Sequence, residues 1–182
     1  MTTATPNEKP YQAFEILPRL YLSSFPTTPE QIPDDITHVL NMCTTPSAPD
    51  TTRTYLHIPL LDWDDISPHL SSIISFISSA LSSPATIETR SPKVLVHCAL
   101  GVNRSAAAVI AYLVSRNEGW GSEQAVGFLR GRKADVKPSG VFLGQIDGFF
   151  GRRGGREDVL VGFYRRLEER KRGVGGGEKM GD

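Results

Sequence analysis

Cys98 and Arg104 stand six positions apart, with Gly101 midway and Ser105 next, in the stretch Val-Leu-Val-His-Cys-Ala-Leu-Gly-Val-Asn-Arg-Ser over residues 94–105. Such a pair arises by accident in many chains, and its flanks are what raise the signal. Val94, Leu95 and Val96 form a branched apolar run suited to a strand buried on both faces. The segment Ser105 to Ser115 is alanine-rich and apolar nearly all round, which predicts a helix enclosed by protein. A strand turning sharply into such a helix aims free backbone N–H groups and the positive helix end into the loop between them. The loop, running from Cys98 to Arg104, is therefore expected to cradle an anion.

Each residue type there has a chemical use. Orphan amides and a neighbouring guanidinium favour the thiolate, so Cys98 is expected to ionise well below the ordinary thiol range. Arg104 offers a planar fork for two oxygens of one phosphate. Gly101 lets the backbone curl with its amides inward. Ser105 can donate a hydrogen bond to the sulfur and make it a better leaving group. The set suits attack on a phosphate ester through a phosphocysteine intermediate. That reaction also needs an acid for the departing oxygen. Thr54 to Leu60 reads as a strand that delivers Asp62, Asp64 and Asp65 to a loop. Residue type and spacing leave all three open.

The block His97-Cys98-Ala99-Leu100-Gly101-Val102-Asn103-Arg104-Ser105 resembles the signature of the cysteine-dependent protein phosphatases, in particular the small dual-specificity branch. Further blocks resemble that family in the expected order: Ile16 to Ser23, Ile36 to Asn41, Tyr55 to Asp62 and Pro138 to Ile146. The resemblance implies an α/β protein tyrosine phosphatase-like fold, a single domain with a central mixed sheet of about five strands flanked by helices. It implies Cys98, Arg104, Asp62 and Ser105 as catalytic residues, with Asp62 the general acid. The phosphate-binding loop would comprise Ala99, Leu100, Gly101, Val102, Asn103 and Arg104, and His97 would support it. No cofactor and no metal are implied. Two features depart from the family pattern: Asn103 replaces a frequent serine, and Ser82 to Pro92 is longer and more polar than usual.

Other residues have plainer readings. Adjacent strand residues point to opposite faces, so His97 cannot easily take a proton from Cys98 and is read as a buried hydrogen-bonding support. Asp64 and Asp65 are read as solvated or as the start of the next helix. His38, His57 and His69 lack paired ligand spacing. Cys43 is read as a small buried hydrophobe. Its place at the end of a strand also resembles that of a second cysteine in tensin-type lipid phosphatases, which implies a possible redox partner for Cys98.

Strands are expected over Phe14–Leu17, Leu20–Ser23, Thr37–Met42, Thr54–Pro59 and Lys93–His97. Leu70, Ile73, Ile74, Ile77 and Leu81 recur at helical spacing after the start signal Ser67-Pro68. Ser122 is expected to cap a helix carrying Ala125, Phe128 and Leu129, and Pro138-Ser139-Gly140 to open one carrying Phe142, Ile146, Phe149 and Phe150. The helices are expected on both sides of the sheet. Residues 1–11 read as a disordered start, 12–150 as the catalytic domain, 151–172 as a basic joint and a helix, and 173–182 as a disordered glycine-rich tail.

At 182 residues the chain suits one domain, and its net charge of zero argues against a nucleic-acid partner. No apolar run approaches the length of a membrane span, and Met1 to Pro10 shows no secretory pattern. Two cysteines, one required as a thiolate, suit the cytoplasm or nucleus. The expected partner of a monomeric enzyme is a phosphorylated protein, because the loop lacks the lysines that would meet extra phosphates. The alternatives are a non-protein phosphate (phosphoinositide, RNA 5′-triphosphate or glucan), a phosphate-binding adaptor without turnover, and a sulfur-transfer or arsenate-reducing enzyme.

Overall fold

A computed structural model describes residues 11–48, 51–83 and 91–152. The expected C-terminal helix, the glycine-rich tail and most of the polar stretch Ser82 to Pro92 lie outside these residues. Five strands form one sheet: β1 (Ala13–Leu17), β2 (Leu20–Ser23), β3 (His38–Asn41), β4 (Thr54–His57) and β5 (Val94–His97). Their order is β1-β2-β5-β3-β4, with β1 antiparallel to β2 and the other pairings parallel. All five expected strands are present, with ends differing by one or two residues.

The register brings Ser23, His97, Asn41 and His57 into one row across the four parallel strands. The chain leaves the sheet just beyond that row four times, so the loops after β2, β3, β4 and β5 gather at one edge. In an open parallel sheet this carboxyl edge is where ligands bind. β5 lies at the centre and is buried along its whole length. The loop opened by Cys98 is thus flanked on both sides.

Alternation along the strands separates two cores. Leu22, Leu40, Val94 and Val96 belong to the larger one, together with the buried faces of α1 (Leu70–Ser82), α2 (Arg104–Arg116), α3 (Ser122–Arg130) and α4 (Gly140–Phe149). Val39 and Leu95 face the other way and pack with Ile32 and Ile36. The four α-helices therefore share one face, and the opposite face is covered by the segment containing the single 3₁₀ turn Pro29–Gln31. This corrects the expectation of helices on both sides. Pro26, Pro29 and Pro33 recur through the linker between β2 and β3 and keep that turn from extending into a helix.

Residues Ser105 to Val114 of α2 are all buried. Ala106, Ala107, Ala108 and Ala111 let neighbouring elements approach closely, while Val109, Ile110 and Leu113 each contribute about 1.5–3 kcal/mol by leaving water. Arg104 stands at the junction, closing the loop and opening this helix as its first residue.

Two helix starts differ from expectation. Ser67 to His69 form a 3₁₀ turn ahead of α1, and Asp65 Oδ1 accepts the Ser67 N–H at 2.9 Å. Gly121, not Ser122, caps α3, because Ser122 is drawn inward to Asp147. The buried Asp147 carboxylate accepts the Ser122 N–H and hydroxyl, both at 2.7 Å, and ties α3 to α4. Pro138-Ser139-Gly140 opens α4 as expected, with Ser139 as the cap, its hydroxyl accepting the Phe142 N–H at 3.3 Å.

Candidate active site

Cys98 directly follows the central strand β5, with only 2% of its surface exposed. Burial alone would raise its pKa. The net effect is nevertheless a lowered pKa, because the thiolate receives the Ser105 hydroxyl, the backbone N–H groups of Ser105 and Gly101, and the field of the Arg104 cation. The Ser105 Oγ to Cys98 Sγ distance is 3.1 Å. Ser105 holds that position because it lies in the first turn of a helix whose next nine residues are all buried.

Gly101 adopts φ +69°, where glycine carries no penalty. A Cβ there would lie 2.6 Å from the carbonyl carbon and oxygen of Ser23 and 2.7 Å from the Ser24 nitrogen. These backbone atoms belong to the adjoining strand and cannot yield. Gly101→Ala is expected to cost roughly 2 kcal/mol in thermal unfolding and to weaken inorganic phosphate binding on the order of a hundredfold, since the amides lose their aim. Unchanged melting and phosphate affinity would contradict this reading.

The remaining loop contacts come from distant segments. Phe25 N–H donates to the Ala99 carbonyl at 3.2 Å, and Lys137 N–H to the Val102 carbonyl at 2.8 Å. Asn103 Oδ1 accepts the Ser139 N–H at 2.8 Å. The departure from serine at position 103 thus serves as a brace between the loop and the start of α4. Leu100 projects outward with 72% of its surface exposed.

Arg104 joins the cradle to the loop after β4. Its Nη1 donates to the Leu60 carbonyl at 2.9 Å, and its Nε lies 2.9 Å from Asp62 Oδ1. The Nε–H does not point at the carboxylate, so this contact is an ion pair without hydrogen-bond geometry. Of the three aspartates, Asp62 is the one paired with the guanidinium. Asp64 Oδ2 accepts the Leu61 N–H at 2.7 Å, and Asp65 shapes the turn before α1. Both act on the backbone of their own loop.

His97 is fully buried, but neither ring nitrogen has a hydrogen-bond partner among the described residues. The expected hydrogen-bonding support is therefore corrected to a packing role, with the ring edge-on to Phe25 at 5.5 Å between centroids. Burial, and secondarily the charge of His57, pushes its pKa down to about 4, so the ring is neutral at physiological pH. Cys43 is buried and free. Burial, with the neighbouring Cys98 thiolate, raises its pKa to about 11 against the lowering influence of Arg104. The bend that carries it is built by Asn41, whose Oδ1 accepts the Cys43 N–H at 2.8 Å. His57 Nε2 contacts the Cys43 carbonyl at 2.8 Å.

The sequence reading missed Phe25, Lys137 and the Leu60 carbonyl as supports of the site. Two of these act through backbone N–H groups and one through a backbone oxygen, so no residue type announces them. Among the described residues no cluster of three or more His, Cys, Asp or Glu side chains could hold a metal ion.

Comparison with known proteins agrees with this geometry. Residues 20–150 match the family model described as dual specificity phosphatase, catalytic domain. The tyrosine-protein phosphatase yvh1 of Schizosaccharomyces pombe is 32% identical over 142 residues, covering 75% of this chain and 41% of that protein. Dual specificity protein phosphatase 8 of Mus musculus is 33% identical over 138 residues, covering 72% and 20%. The chain thus spans less than half the length of these relatives. The crystal structure of DUSP15 superposes with a TM-score of 0.63 at 26% identity, covering 87% of this chain and 96% of that one. The human tyrosine phosphatase-like serine/threonine/tyrosine-interacting protein shares the fold, with a TM-score of 0.65 at 24% identity and coverage of 76% and 95%. A buried cysteine held by helix amides, a serine and an arginine, on a sheet of this order and within a matching catalytic-domain model, places the chain in the dual-specificity branch of the cysteine-dependent protein phosphatases.

Proposed function

We propose that the protein hydrolyses phosphotyrosine and phosphoserine or phosphothreonine esters of a phosphorylated protein, without metal or cofactor, through a phosphocysteine intermediate. The Cys98 thiolate attacks phosphorus, forming the S–P bond as the ester P–O bond breaks. Asp62 gives its proton to the departing oxygen. Water then attacks the phosphocysteine, Asp62 takes the proton, and the sulfur leaves as a thiolate stabilised by Ser105. Arg104 neutralises charge on the phosphoryl oxygens, while the amides of the loop from Ala99 to Arg104 surround them. His97 packs against Phe25, whose backbone N–H holds the Ala99 carbonyl of the loop.

The observation that carries this reading is the set of donors converging on one buried sulfur. A structural cysteine needs none of them. Residues 99–103 contain no lysine or arginine, which favours a singly phosphorylated side chain over a polyanionic headgroup. A thiolate catalyst of this kind would work in a reducing compartment, the cytoplasm or nucleus, and as a monomer. No helix among the described residues is long and apolar enough to cross a membrane.

The test is phosphate release, in the presence of a chelator, from a panel of phosphopeptides, phosphoinositides and RNA 5′-triphosphate. Turnover of phosphotyrosyl and phosphoseryl peptides is expected. Turnover confined to a non-protein phosphate, or tight phosphopeptide binding with no release, would overturn the proposal.

Cys43 fits a protective redox role within it. Peroxide would convert the Cys98 thiolate to a sulfenic acid with loss of hydroxide, and the Cys43 thiol would then displace water to give a disulfide. Once Cys98 is no longer an anion, part of what holds Cys43 protonated disappears. Mass spectrometry after peroxide treatment is expected to find a Cys43–Cys98 linkage that thiols reverse. Overoxidised Cys98 beside unmodified Cys43 would reject it.

A further inference from the structure

Large apolar side chains exposed to solvent concentrate around the site. Among the described residues these are Leu61, Trp63, Leu100, Val141 and Phe149, and the first three sit on the two loops that meet at Arg104. Trp63 is 73% exposed and belongs to neither core cluster. The fold gains nothing from an indole in that position, since a side chain left in water contributes none of its burial energy.

The loop that carries Trp63 is nevertheless well defined. Leu60 is held through its carbonyl by Arg104, Leu61 donates its N–H to Asp64, and Asp64 N–H returns to the Leu61 carbonyl at 3.3 Å. Ser67 N–H then closes on Asp65. An aromatic side chain on a braced loop beside an anion cradle offers contact area at low entropic cost, with only two side-chain torsions to order.

We propose that Trp63 is a specificity-determining residue, forming with Leu61 an apolar rim that receives an aliphatic or aromatic side chain next to the phosphorylated residue of the substrate. This rests on the phosphatase reading above. A phosphorylated side chain that reaches Cys98 must bring a neighbour onto the loop after β4, because Leu61 and Trp63 flank Asp62, which is paired with Arg104 of the cradle. Charge narrows the occupant further. Residues 58–68 carry three aspartates and no cation of their own, so an acidic neighbour seated against Trp63 meets like charge at Asp64 and Asp65, while the cations Arg132 and Lys133 line a separate cavity with Leu100.

The test uses the full chain and phosphotyrosyl peptides with Leu, Gly or Glu at each position flanking the phosphotyrosine. Binding is measured on Cys98→Ser and turnover on the otherwise unaltered chain. At one flanking position Leu is expected to exceed Gly by about tenfold and Glu to fall below Gly. Trp63→Ala should bring the Leu-to-Gly ratio close to one, and Trp63→Phe should keep most of it. A ratio unmoved by Trp63→Ala, or no discrimination at either position, would overturn the proposal. Discrimination in binding without turnover would leave the rim standing and remove the phosphatase reading.

Discussion

Cys98→Ser is expected to lower phosphate release by a factor on the order of 10⁴ or more while phosphopeptide binding persists. The substitution changes one atom, and the serine hydroxyl fits a space that is already closed to solvent. It cannot ionise near neutrality, so the donors at Ser105 and Gly101 would have no anion to stabilise and phosphorus no nucleophile. Arg104 and the amides of the loop are untouched and still receive a phosphoryl group. Phosphate release from a phosphopeptide, read beside peptide binding, checks both halves. Residual turnover near the level of the unaltered protein would require a different nucleophile.

Asp62→Asn carries the second large effect. A positioned acid supplies about 10² to 10⁴ in rate, and its value grows as the leaving group becomes a poorer acid. Alkyl phosphates such as phosphoserine should therefore lose the most, and an activated aryl phosphate the least. The ion pair with Arg104 is lost as well, but Asp62 is 55% exposed and such a pair adds little to stability. The melting temperature should barely move. Comparing kcat for phosphoserine and nitrophenyl phosphate, with melting as a control, separates loss of an acid from loss of fold. A uniform loss across leaving groups, or the same selective loss in Asp64→Asn or Asp65→Asn, would take the role away from Asp62.

Much of this was legible in the residues because its signals are local. The run from Val94 to Ser105 holds strand, loop, helix start, nucleophile and cation in one contiguous piece, and the periodicities of the strands and of α1 lie within single segments. What the sequence concealed depends on pairing. The central place of β5, between β2 and β3, is decided by which strand edges meet, and strand composition does not encode that directly. The one-sided stacking of helices follows from Pro26, Pro29 and Pro33, which break the connection from β2 to β3 into a single 3₁₀ turn. Asn103 looked like a departure from a pattern and turned out to brace a backbone N–H 36 positions along the chain. His97 gave the opposite surprise. A histidine beside a reactive sulfur suggests hydrogen bonding, yet its two nitrogens are buried without partners among the described residues and its ring packs on Phe25. Ser122 has the composition of a cap, but the buried Asp147 carboxylate claims its hydroxyl.

The chemistry depends on one thiol losing its proton inside a closed loop, and the rate of alkylation at Cys98 as a function of pH measures that loss. Followed by mass spectrometry at each cysteine, iodoacetamide should modify Cys98 with a midpoint well below the ordinary thiol range, and Ser105→Ala should move that midpoint up. Cys43 should react only as the pH approaches about 11. A Cys98 that titrates with an ordinary thiol midpoint, unaffected by Ser105→Ala, would contradict the account at its centre.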